Sequence, residues 1–178
     1  MSQLTVEDEE LIDLLEQGAS VATAASASNK YRALVTDILF HFADSQLAGA
    51  SGYAACVSLG PTIDDRIALA GVVREKMKMA RQVYQLLAGF SINVERYFVS
   101  HTWDARLNRH ADLGYRRASS DKRLNALMFP LQSWADVVAF TYLMAEMACL
   151  QLDDLCSCSY KPFAALAIEF QPVEQTPG

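Results

Sequence analysis

The stretch Thr62-Ile63-Asp64-Asp65-Arg66-Ile67-Ala68-Leu69-Ala70-Gly71-Val72-Val73-Arg74-Glu75-Lys76-Met77-Lys78-Met79-Ala80-Arg81-Gln82-Val83-Tyr84-Gln85-Leu86-Leu87 decides the fold. Thr62 followed three residues later by Asp65 has the form of a capping box, in which hydroxyl and carboxylate each satisfy an otherwise unpaired N–H of the first helical turn. Gly60-Pro61 breaks the chain just before it, and Gly89 offers a stop just after. Between them Leu69, Val72, Val73, Ala80, Val83, Tyr84 and Leu87 recur at helical spacing, while Arg74, Lys78, Arg81 and Gln82 take the other face. The pattern predicts one long helix to about Ala88. Lys76 falls near the middle of its apolar face, with Met79 beside it.

Two further long helices flank this one. Asn29 reads as the cap of a helix running to about Tyr53, with Tyr31, Val35, Ile38, Leu39, Phe42 and Tyr53 on its apolar face and Gln46 among them. Ser133 with Asp136 opens a third, continuing to about Leu155. That helix has hardly any polar side, and Glu146 lies near Ala139, Tyr142, Leu143 and Leu150. Each long helix thus turns one polar residue toward its apolar face. An isolated buried charge is very costly, so the expectation is a Lys76–Glu146 ion pair with Gln46 nearby. The alternative is that Lys76 snorkels to solvent and Glu146 faces a polar neighbourhood.

The ends are lighter. Thr5 with Asp8 opens a short acidic helix that Gly18 ends, and residues 19–28 form a small-residue linker. Residues 93–127 read as shorter helices with turns at Gly114 and Ser119-Ser120. After Lys161-Pro162 an apolar run reaches Phe170, about two turns and half of what a fourth bundle helix needs, before Pro172 and Pro177. The organisation is therefore an acidic helix and linker (1–28), a helical domain (29–170) and a tail (171–178). The fold class is an all-α bundle whose fourth core helix is short or absent. A bundle lacking a wall exposes an apolar groove that a second copy or another chain would cover.

Composition narrows the function classes. At 178 residues and 52% hydrophobic, the chain can bury the core of one domain. A net charge of −6 gives no support to nucleic-acid binding. The acidic N-terminus lacks the basic region of a signal peptide, and a cytoplasmic protein is expected. Trp134–Leu150, the most apolar stretch, is slightly short for a membrane span, carries Asp136 and Glu146, and reads as a buried helix. Cys56, Cys149, Cys156 and Cys158 read as reduced structural thiols, because no second pair or neighbouring His completes a metal site around Cys156 and Cys158. Asp37 and His41 sit on the polar side of their helix, His101 and His110 have no partner at metal-binding spacing, and no phosphate loop or nucleophile elbow occurs.

Tyr31-Arg32-Ala33-Leu34, Ser45-Gln46-Leu47-Ala48-Gly49-Ala50, Gly60-Pro61-Thr62-Ile63-Asp64-Asp65-Arg66, Ser133-Trp134-Ala135-Asp136 and Cys158-Ser159-Tyr160-Lys161-Pro162-Phe163 occur in that order. In order and spacing the chain resembles, over about residues 30–168, the ferritin-like subunits of phenylacetyl-CoA epoxidase, the phenylacetate ring-oxidation complex, and their benzoyl-CoA relatives. The resemblance implies a ferritin-like bundle, aromatic acyl-CoA substrates, and in the active relatives two iron ions held by two Glu-x-x-His pairs and two further carboxylates.

This sequence departs from that ligand pattern. Gln46 stands at the first-helix carboxylate, Lys76 and Met79 at the Glu and His of the second helix, and Ala145, with Glu146 one residue on, at the third. No second Glu-x-x-His follows Ala164. A register shifted by one would offer Glu75 and Glu146, but Glu75 falls on the polar face. Gln46, Lys76, Met79 and Glu146 are thus expected to form a vestigial metal site with no metal and no cofactor.

Arg74, Lys78 and Arg81, with Arg106, Arg109, Arg116 and Arg117 of a locally basic stretch, could build a cationic patch suited to the phosphates of an acyl-CoA. The same charges could be solvated faces or a docking site for an acidic partner. The functional expectation is a non-catalytic assembly or structural subunit, partnered by a second copy or another ferritin-like subunit, without nucleic acid or membrane. Two alternatives stand beside it: a diiron-type aromatic acyl-CoA oxygenase subunit that completes its site by oligomerisation, and an acyl-CoA binding module.

Overall fold

The structure is a computed structural model that describes residues 5–101, 106 and 121–175. Among them are six α-helices: α1 (Val6–Glu16), α2 (Asn29–Cys56), α3 (Ile63–Gly89), α4 (Val94–Val99), α5 (Trp134–Cys156) and α6 (Lys161–Gln175). No strand is present among the described residues, and the chain is an all-α bundle.

All three capping boxes form. Thr5 and Asp8, Thr62 and Asp65, and Ser133 and Asp136 each exchange the reciprocal side-chain bonds that start α1, α3 and α5. For α2 the cap falls one residue earlier than Asn29: the Ser28 hydroxyl accepts from the Tyr31 N–H and donates to Asp8 Oδ1 at 2.7 Å, tying α1 to the start of α2. Gly18 takes the left-handed conformation (φ 86°) after α1. Its N–H reaches the Leu15 carbonyl, and the Ala19 N–H reaches that of Leu14, the paired bonds of a Schellman stop. At the end of α3 Gly89 remains helical, and Ser91 instead carries the left-handed turn (φ 63°).

Helices α2 and α3, joined by a short turn, pack along each other, and so do α5 and α6; α6 also touches α3, whereas α2 meets α5 only lightly. The fourth wall is present and short. Helix α6 has 15 residues against 28 for α2, and it continues through Pro172 rather than ending at Phe170. Its Phe163 and Phe170 flank Phe42 of α2, edge-on at 5.6 Å and stacked at 5.8 Å, and Ala167 between them is fully buried. The linker is laced to the same end: the Val21 N–H donates to the Ser159 carbonyl and the Lys161 N–H to that of Val21.

Helix α5 overturns one expectation. Only 11% of its most apolar 18-residue window is buried, although by length and composition alone it could cross a membrane. Val137 and Leu152 are its fully buried residues, whereas Val138, Tyr142, Leu143, Met147 and Leu150 face outward. A helix apolar all round does not announce which side packs, and the pairing with α6 selects the side of Leu152.

Candidate functional site

Lys76 points from α3 into the space among α2, α5 and α6. Its aliphatic stem passes Gly49, where a Cβ would stand 3.4 Å from Lys76 Cδ, so a glycine on α2 makes room for it. The ammonium donates to Gln46 Oε1 at 3.2 Å and to Glu174 Oε1 at 3.1 Å. The Lys76 and Glu174 side chains keep only 12% and 10% of their exposure, so this pair is shielded from solvent. A small cleft of about 50 Å³ adjoins it, bounded by Gln46, Tyr53, Lys76, Leu127, Met144 and Gln151 among others. Burial pushes the Tyr53 hydroxyl up to about 12.

The expected Lys76–Glu146 pair is not made. Glu146 lies on the exposed outer face of α5, among the same residues that periodicity had assigned to the core. The carboxylate that meets Lys76 is Glu174, beyond Pro172 on α6. Its signal was present as a continuation of the buried stripe Phe163, Ala167, Phe170 at i, i+4 and i+7, which reaches residue 174 four residues later. Reading Pro172 as a helix stop concealed it. Met79 is buried in the main core cluster, packed with apolar residues.

A second buried polar cluster escaped the sequence reading. Asp44 on α2 is fully buried and accepts the Tyr84 hydroxyl at 2.7 Å and the Tyr97 hydroxyl at 2.6 Å. Burial raises the Asp44 carboxyl, against which the Tyr97 and Tyr84 bonds act. Both phenols are pushed well above their usual range, by burial first and by Asp44 next. The His101 ring lies 3.9 Å from that of Tyr97, tilted by 32°, with its Nδ1 2.8 Å from the Tyr97 carbonyl. The cluster clamps α4 onto α2 and α3. The signal lay in Phe40, Leu47 and Ala48, one helical turn to either side of Asp44.

Only Arg74, Lys78, Arg81 and Arg106 of the expected cationic patch fall on described residues. On α3, Arg74, Lys78 and Arg81 are exposed, but Glu75 bridges Arg74 at 2.9 Å and Lys78 at 3.0 Å. Arg106 turns inward: it donates to the Ala48 carbonyl at 2.7 Å and lies where a Cβ on Gly52 would stand 3.1 Å from it. Arg109, Arg116 and Arg117 lie outside the described residues, as do Gly114 and Ser119-Ser120. On the polar side of α2, Asp37 meets Lys122 at 2.6 Å and His41 at 3.5 Å, an exposed arrangement.

The sequence pattern described as phenylacetic acid catabolic protein matches residues 6–170. The chain belongs to that family. It is a phenylacetic acid catabolic family protein over nearly its whole length, which agrees with the resemblance its motifs carry. No curated protein matches it.

The two irons of the active relatives can be tested against the residues present. Hard divalent ions need several carboxylates and imidazoles converging on one point. Here Lys76 meets one carboxylate, Glu174, and one amide, Gln46, and its ammonium occupies the middle. Among the described residues no group of three or more His, Cys, Asp or Glu is placed to hold a metal ion. The described residues do not fit a diiron centre.

Proposed function

We propose that this family member is a metal-free, non-catalytic ferritin-like subunit that serves assembly or structure in a cytoplasmic phenylacetyl-CoA-type epoxidase complex. One observation supports the reading: Lys76, Gln46 and Glu174 join inside the bundle, and the family resemblance sets the first two at positions where the relatives carry ligands. A lysine ammonium brings into the bundle a positive charge of its own, and it engages the carboxylate that a metal would need. The site is rebuilt as a polar strut between α2, α3 and α6.

The direct test is metal analysis of the full chain purified after expression in iron- and manganese-replete medium. The expected result is a substoichiometric trace of either metal. Stoichiometric iron or manganese would overturn the proposal. So would oxygen uptake with an aryl-CoA in a reconstituted complex, if a Lys76→Met variant of this chain abolished it.

A further inference from the structure

We infer that the cleft beside Lys76 binds a small free carboxylate of the size of acetate, and that Glu174, on the last turn of α6, competes with it for the same ammonium. This deepens the metal-free reading of the cluster and rests on it.

The cleft wall is rich in hydrogen-bond donors. A lysine ammonium has three N–H groups. One of those on Lys76 goes to Gln46 Oε1 and one to Glu174 Oε1, and the third has no acceptor among the described residues. Gln46 receives Lys76 on its amide oxygen, which leaves its NH2 group to donate. Ser45 is 9% exposed and accepts from the Leu124 N–H at 3.1 Å, and among the described residues nothing receives its own hydrogen. All three side chains border the one cleft. Buried donors without acceptors are costly, and a carboxylate is the matching ligand, because it accepts at both oxygens and donates nothing. Its bond to an ammonium is of the strong, charge-assisted kind.

Size narrows the class. A volume of about 50 Å³ holds roughly four water-sized groups, which matches the heavy atoms of acetate and excludes an aromatic acid. Leu127 and Met144 supply apolar wall for a methyl group. The cleft also reaches His41 and Met147, both exposed, so it opens to the surface for entry.

Charge explains the part of Glu174. One ammonium balances one carboxylate, so a second carboxylate binds well only as Glu174 withdraws. The last turn of α6 is suited to withdrawing. Pro172 lies inside the helix and lacks the N–H that would bond back to the Ile168 carbonyl. Glu174 is one residue from the helix end, where the dipole disfavours an anion. Both local effects oppose this turn, and the contact with Lys76 at 3.1 Å opposes them.

The test is thermal melting of full-length Glu174→Ala in sodium acetate and in sodium chloride at matched ionic strength. Acetate is expected to raise Tm beyond chloride and to saturate, as a ligand of the folded state does. The shift should vanish in Lys76→Met/Glu174→Ala, and benzoate should not produce it. In the parent the acetate midpoint should lie at least about tenfold higher, because the tethered Glu174 must first leave. If Glu174→Ala folds poorly, Glu174→Gln serves in the same comparison. Acetate that acts no better than chloride would overturn the inference. So would a shift that survives the loss of Lys76, a benzoate shift as large as that of acetate, or a parent midpoint equal to the variant's. An absent acetate response in a chain with only trace metal defeats this inference alone, whereas stoichiometric iron or manganese defeats the functional reading and this one with it.

Discussion

Lys76 and Glu174, 98 residues apart in sequence, meet at 3.1 Å inside the bundle, with Gln46 completing the contact from α2. The pair joins the middle of α3 to the last turn of α6. Its energetics are asymmetric, because the pair matters less for net stability than either partner would cost if left alone.

Glu174→Ala is expected to destabilise the chain by about 3–5 kcal/mol, since it leaves a shielded ammonium without its carboxylate. Lys76→Met removes the ammonium and keeps an aliphatic stem of similar length, so its cost should be smaller. Glu146→Ala should be within about 0.5 kcal/mol of the parent, as for a surface site. Urea denaturation of the three variants checks the order. Equal losses for Glu146→Ala and Glu174→Ala would refute the assignment of the pair.

Asp44 predicts a pH dependence. Burial raises its folded-state carboxyl above the ordinary value of 3.8, so the folded chain holds this proton more tightly than the unfolded chain. The contribution is fully present below 3.8 and is lost as pH rises through the raised value. Asp44→Asn should flatten that part of the stability–pH curve, which denaturation at a series of pH values will show. Asp44→Ala strands the buried Tyr84 hydroxyl and should cost about 1–3 kcal/mol.

Ser91 holds a left-handed backbone (φ 63°) that glycine adopts without steric penalty. Ser91→Gly should stabilise the chain by about 0.5–1 kcal/mol, the relief of that strain being partly offset by a more flexible unfolded chain. A thermal melt that shifts downward would show that the Ser91 side chain makes a contact worth more than the strain.

Ser28 both caps α2 and bonds Asp8 on α1. Ser28→Ala should cost about 1 kcal/mol through the cap and should speed proteolytic cleavage in the 19–28 linker. Cleavage at the parent rate would mean that the apolar contacts of α1 hold it without the Ser28 bridge.

Local chemistry made much of this protein readable from its residues alone. Three capping boxes announced α1, α3 and α5 because the two side chains and the two N–H groups they satisfy lie within one turn of sequence. The inward placement of Lys76 and Met79 followed from the period of α3, whose two faces differ sharply in polarity. Family motifs, spaced as the helices are spaced, carried the bundle and the relation to phenylacetic acid catabolism.

What the local pattern could not settle was settled by packing. Helix α5 is apolar on every side, so its period holds no information about which side turns inward, and its contact with α6 put Glu146 outside. Helix α6 runs through Pro172 because its buried stripe and the Lys76–Glu174 pair favour continuation over the local penalty of proline. The residues by themselves placed a lysine on the apolar face of α3. Only the tertiary structure decided which carboxylate meets it, because a buried charge takes the partner that the packing of distant helices brings within reach, whatever its separation along the chain.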